Sequence, residues 1–239
     1  MRVLALDTSG AACSVALLDR GRLAAHCFEP MARGHAERLM PMAAAVFEAG
    51  GLDGGFAALD LIAATVGPGA FTGIRIGLAA ARAMGMAAGR PVVGVTAFEA
   101  LAEAVPMEHR AGRTLLVAID SRRENLFVQL IGADGEPLGE AGDAAPAALP
   151  SLVAPGPLIV AGDAARRAAA ALEAAGRDDV RIAPGEGLPD AAWVARVAAR
   201  RAAAAAAEAG GGAESLLPLP RPLYLRAPAV TLPRRTATP

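Results

Sequence analysis

The strongest constraint on this chain's fold is an internal echo. LALDTSGAACSVALL, residues 4–18, is answered by VAIDSRRENLFVQLI, residues 117–131. Each is an apolar run that ends in an acid, passes through a polar turn and returns as a second apolar run, which is the pattern of a β-hairpin. Asp7 to Val15 and Asp120 to Val128 have the same separation, and Thr8 stands opposite Ser121. Both copies then reach a turn, Asp19-Arg20-Gly21 and Ala133-Asp134-Gly135, with a one-residue slip. Any two hairpins share this much, so the match by itself leaves duplication and coincidence both open.

The rest of the pattern alternates strands with helices. Val3–Leu6, Ser14–Leu18 and Leu23–Phe28 read as an antiparallel meander. Residues 34–49 turn helical, and Pro41 places the start of the regular part near Leu39. Gly50-Gly51 stops that helix. The near-continuous apolar run from Leu59 to Val66 is a buried strand, followed by the loop Gly67-Pro68-Gly69-Ala70-Phe71-Thr72-Gly73 and a helix over 72–88. A strand at 91–95 and a helix at 97–105 follow, and such short links argue for parallel pairing inside a mixed sheet. Residues 106–113 are polar and read as a boundary, 140–157 as a long connection, and 164–175 and 191–209 as Ala-rich helices. This divides the chain into subdomains at 1–105 and 113–210. A Pro/Arg-rich tail over 211–239 either stays solvated or packs back on the first subdomain.

Composition removes several chemistries. With 239 residues there is ample chain for a buried core. All 23 Lys+Arg residues are Arg, so a Schiff-base or P-loop lysine is excluded. Eight aromatics are too few for a single-strand stacking platform, and a net charge of -1 is not the footprint of a lone nucleic-acid binder. The two cysteines, Cys13 and Cys27, have no metal or disulfide spacing. Asp7 leaves no room for a signal-peptide core, and every long uncharged stretch is broken by proline or glycine. The expectation is a cytoplasmic protein without a membrane span.

Two constellations deserve chemical readings. At a strand end, Asp7 is suited to holding a magnesium ion through water and the Thr8 and Ser9 hydroxyls to holding phosphate oxygens, as are the amides of the loop at Gly67 and Gly69. The competing reading is a strand-end turn and a tight strand-to-helix connection. Gly73, Gly77, Ala81 and Gly85 recur at four-residue steps along the following helix. Interior glycine costs a helix about 1 kcal/mol relative to alanine, so something must approach closely. That neighbour is either internal or another chain. His35 with Glu37 lacks a second His at position 39, so no metal site is expected.

VLALDTSG, HAERLMP, VGPGAFTGIRIGLAAARAM, PVVGVTAFEALA, AIDSRREN and PLYLR, in this order, resemble the TsaB family, the YeaZ-like dimerisation subunit of the bacterial tRNA threonylcarbamoyladenosine machinery. The resemblance covers the first 130 or so residues and touches the tail at 222–226. It implies a duplicated α/β fold of the actin-like, ribonuclease H-like (ASKHA) kind, with two small mixed-sheet subdomains. It implies a heterodimer with a catalytic TsaD-like paralogue, a TsaE-like ATPase, tRNA reached only through the complex, and a homodimer when alone. ATP and a metal are implied for the complex, with no cofactor or metal assigned to this subunit. TsaD-like paralogues carry His-x-Glu-x-His, and the comparable positions here are Ala97, Glu99 and Leu101. With both His positions apolar, the expectation is no catalytic residue and a scaffolding role.

On that expectation the helices at 34–49 and 72–88 meet the partner through Leu39, Met42, Val46, Gly73, Ile76, Gly77, Ala81, Met84 and Gly85, while Asp7, Thr8, Ser9, Gly67 and Gly69 are a vestigial phosphate site. The alternatives are an independent actin-like kinase or ATPase, and, against the missing ligands, a glycoprotease-type peptidase.

Overall fold

A computed structural model describes residues 1–52, 54–208 and 219–226. Strands β1 (Arg2–Asp7), β2 (Ala12–Asp19), β3 (Arg22–Pro30), β4 (Leu61–Gly67) and β5 (Val92–Thr96) form one sheet in the order β3-β2-β1-β4-β5. β6 (Thr114–Asp120), β7 (Leu126–Ile131), β8 (Gly142–Ala144), β9 (Leu158–Ala161) and β10 (Val180–Ile182) form a second in the order β10-β9-β6-β7-β8. In both, the first two strands are antiparallel and the first strand runs parallel to the fourth. The duplication is therefore real, and the architecture is the duplicated actin-like fold.

The first turn of the second hairpin is one residue shorter than that of the first. Val15 pairs with Leu6, whereas its sequence counterpart Val128 pairs with Ala118, one place further from the acid.

Helices cover the sheets according to side-chain alternation. Leu4 and Leu6 face α1 (His35–Ala49) and α2 (Phe71–Ala88), packing with Leu39, Met42, Val46, Ile74 and Leu78. Val3 and Ala5 face the opposite way, onto Val194, Ala195 and Ala198 of α7 (Ala191–Glu208). α3 (Ala97–Ala104) presents Phe98 and Leu101 to the second sheet at Leu115, Val117 and Ile119. α5 (Leu149–Leu152) and α6 (Ala165–Ala174) cover that sheet's other face, and the four-residue α4 (Met107–Arg110) links the halves.

Several expectations change. α1 starts at His35 and runs through Pro41, which lies on the exposed side where water can take the carbonyl that proline cannot bond. The long connection holds β8 and α5, and β10 adds a second edge strand. The largest correction concerns α7. It lies inside the expected second subdomain, yet its small apolar face packs on the first sheet. The packing boundary therefore falls before residue 191. The described part of the tail also folds back: Leu223 N–H donates to Val66 C=O at 2.7 Å. Residues 211–218 and 227–239 lie outside the described residues.

Candidate functional site

The first sheet's leading turn is held by α2. Asp7, Thr8 and Ser9 are buried, at 0%, 2% and 1% exposure. Thr8 Oγ1 donates to Gly73 C=O at 2.7 Å, Ser9 Oγ donates to Asp7 Oδ1 at 2.7 Å, and Ala70 N–H donates to Ser9 C=O at 2.7 Å. A Cβ at Gly69 would collide with Ser9 C=O, one at Gly73 with Thr8 C=O, and one at Gly77 would come within 2.7 Å of Thr8 Oγ1. Gly67, at φ +114°, abuts the carbonyl of Leu223. Asp7, Thr8, Ser9 and Gly69 are thus brought together, with Asp7 Oδ1 and both hydroxyls bonded inside the protein, whereas Gly67 packs on Leu223 and Ile74.

Burial pushes the Asp7 carboxyl up to about 6, against the lowering effect of the Thr65 and Ser9 hydroxyls and the Ser9 N–H; the charge of Asp190 adds to the rise. Neither Asp7 Oδ2 nor Thr65 Oγ1 reaches hydrogen-bond geometry with a partner.

The small-residue row of α2 also faces inward. Gly73 and Gly77 meet Thr8, while Gly85 meets Val92 and the carbonyl of Arg90. Leu39, Met42, Val46, Ala81 and Met84 are core residues at 4% exposure or less, and Ile76 is partly buried against them. The residues assigned to a partner interface are therefore already in contact with this chain. The free faces of the same two adjacent helices are different. α1 exposes Met40, Pro41, Ala44 and Ala45, and α2 exposes Phe71, Ala79, Ala83 and Met86. Met86 is 86% exposed and Met40 49%, an unusual cost for apolar side chains on neighbouring helices. Sequence periodicity marked the inward faces of these helices. It missed the outward stripe because alanine-rich faces look alike on every side.

At the TsaD-like ligand positions, Ala97 and Leu101 are buried at 0% and 3%. Glu99 closes a capping box: its Oε2 accepts from Thr96 N–H at 2.8 Å, while Thr96 Oγ1 accepts from Glu99 N–H at 3.1 Å. Its other oxygen pairs with Arg201. The acid is thus committed to starting α3.

A cleft of about 740 Å³ opens between the two halves, lined by His26, Leu101, Asp163, Arg166, Asp190 and Trp193 among others. His26 Nε2 and Asp190 Oδ1 are 2.7 Å apart on its wall. Asp163 accepts from Asp120 N–H at 2.8 Å, and burial raises its carboxyl pKa. The sequence marked neither the His26–Asp190 pair nor Asp163, because their partners lie more than 40 residues away.

The tail segment forms a strap. Tyr224 stacks near Phe71 with ring centres 5.1 Å apart and receives a hydrogen bond from Arg75 Nε at 3.1 Å. Two residues on, Arg226 Nε donates to Asp143 of β8 at 2.7 Å, so the strap runs from α2 to the second sheet.

The family model described as TsaD, tRNA N6-adenosine threonylcarbamoyltransferase, matches residues 29–173. The chain is 36% identical over 127 residues to the Escherichia coli K12 tRNA threonylcarbamoyladenosine biosynthesis protein TsaB, covering 53% of each. It is 49% identical over 71 residues to a tRNA N6-adenosine threonylcarbamoyltransferase of Erythrobacter litoralis, 30% of this chain and 20% of that one. The first of these matches spans about half of the curated relative's length. The solved structure of YeaZ from Pseudomonas aeruginosa superposes with a TM-score of 0.73 at 29% identity, covering 94% of this chain and 99% of that one. Among the described residues, no helix is long and apolar enough to cross a membrane.

Proposed function

Because the chain belongs to the family whose model is described as TsaD, tRNA N6-adenosine threonylcarbamoyltransferase, we propose that it serves tRNA threonylcarbamoyladenosine biosynthesis as a TsaB-type, non-catalytic subunit. In this reading it docks on a catalytic TsaD-like paralogue, with a TsaE-like ATPase and tRNA joining through the complex. The observation that carries the reading is the state of the ligand positions: Ala97 and Leu101 are core side chains, and Glu99 is a helix cap. A chain with this arrangement lacks the ligands for metal chemistry at that place and retains the fold of its catalytic relatives.

The docking face is the outward stripe of α1 and α2 rather than the glycine row. Small residues at Ala44, Ala79 and Ala83 permit close helix approach, and Met40 and Met86 supply deformable apolar contact. In the partner's absence the same face supports self-association. Ala83→Glu combined with Met86→Glu tests this, since both side chains lie on the surface and the fold is untouched. The double variant should melt like the parent and fail to co-purify with a TsaD-like subunit. Its loss of modification in a reconstituted assay should match omission of the chain. A folded double variant that binds the partner with unchanged affinity would sink this interface.

A further inference from the structure

We infer that the cleft beside Arg110 is a binding site for a small oxyanion, a carboxylate or a phosphate, that docks on the Arg110 guanidinium. Arg110 ends α4 and is only 8% exposed. It lines a cleft of about 590 Å³ together with Glu103, Met107, Glu136, Arg200 and Arg201. Among the described residues its Nε has no hydrogen-bond partner, and its one side-chain hydrogen bond is Nη2 to Met107 Sδ at 2.9 Å, a weak acceptor. Among the described residues, no carboxylate forms an ion pair with it.

The other cations of the cleft are already matched. Arg200 pairs with Glu103 at 3.0 Å, and Arg201 pairs with Glu99. Asp134 is turned onto its own loop, accepting from Glu136 N–H at 3.0 Å. Arg110 is therefore the one cation of the cleft without an ion pair among the described residues, and Glu136 is an acid of the same rim in the same state. A guanidinium cannot shed its proton to escape burial, so a buried one without an anion is a standing cost that a ligand removes. Its planar fork fits two oxygens of one carboxylate or phosphate. The four acids around the rim, Glu99, Glu103, Asp134 and Glu136, disfavour polyanions such as nucleic acid.

The test is a melting titration of the full chain with inorganic phosphate and, separately, with acetate, sodium chloride being adjusted to hold ionic strength constant. The Arg110 Nε–H resonance is followed in parallel. One of the two anions should raise Tm, by about 2–4 °C at a few times its Kd and logarithmically beyond, and should shift that resonance to a plateau. Arg110→Met should abolish the response, and in chloride alone it should melt at or above the parent, because an unpaired charge has been replaced by an apolar side chain of similar length. The two arms distinguish phosphate from carboxylate. Three results overturn the proposal. Neither probe shifts the Arg110 resonance to a plateau; the response survives in Arg110→Met, showing an adventitious ion only; or Arg110→Met melts well below the parent without anion, showing that the guanidinium is structural.

Discussion

Gly77 shows how one missing carbon sets this molecule's geometry. Thr8 Oγ1 occupies the space its side chain would need, and at Gly73 the Thr8 carbonyl does the same. Gly77→Leu should therefore fail as a fold, losing about 3 kcal/mol or more by denaturant titration, rather than as an interface. Gly142→Ala, where nothing lies within 4 Å, should change stability by about 0.5 kcal/mol or less. Asp7 makes a pH prediction. Its carboxyl titrates near 6 in the folded chain and near 3.8 when unfolded, so the folded state holds the extra proton between those values. Stability from this group is complete below about pH 4 and falls as pH rises through 6. Asp7→Asn should remove that fall, a difference on the order of 3 kcal/mol at pH 7.5, read from melts across pH. The four-residue spacing of the glycines was legible in the sequence as close approach. The neighbour was not, since Thr8 lies 65 residues from Gly73.

At the scale of elements, Thr96 and Glu99 form a local signature that needs no tertiary knowledge. Thr96→Ala should lose about 0.5–2 kcal/mol, measured by thermal denaturation, as the first turn of α3 frays. Long elements were equally legible: α1, α2 and α7 carry enough apolar repeats to define a face, and β4 is apolar but for Thr65 and buried throughout. β8 and β10 were not, because three residues hold no period and their identity comes from the strand beside them. The same reasoning explains the outward stripe of α1 and α2. Binary patterning separates apolar from polar, and in an alanine-rich helix both faces count as apolar.

At the scale of the whole molecule, the two halves share more than a linker. α3 packs on both sheets, and the strap ties α2 to β8 through Arg226 and Asp143. Arg226→Ala leaves a largely buried Asp143 without its cation and releases the strap's far end. Amide hydrogen exchange should rise at 219–226 and along β8, while β1 and β2 remain protected. Unchanged exchange at β8 would show that the strap does not couple the halves. The echo of hairpins made the duplication readable, but the allegiance of α7 was not, since chain order suggested the nearer sheet.

That allegiance has a consequence for synthesis. One face of the first sheet, bearing Val3, Ala5 and Ala63, is closed by side chains at 191–202. On the ribosome, the opening hairpin emerges long before its cover is translated. The nascent first half must wait with that face bare, shielded by chaperones or by the growing second half. A premature stop near residue 190 would therefore injure the beginning of the chain more than its end.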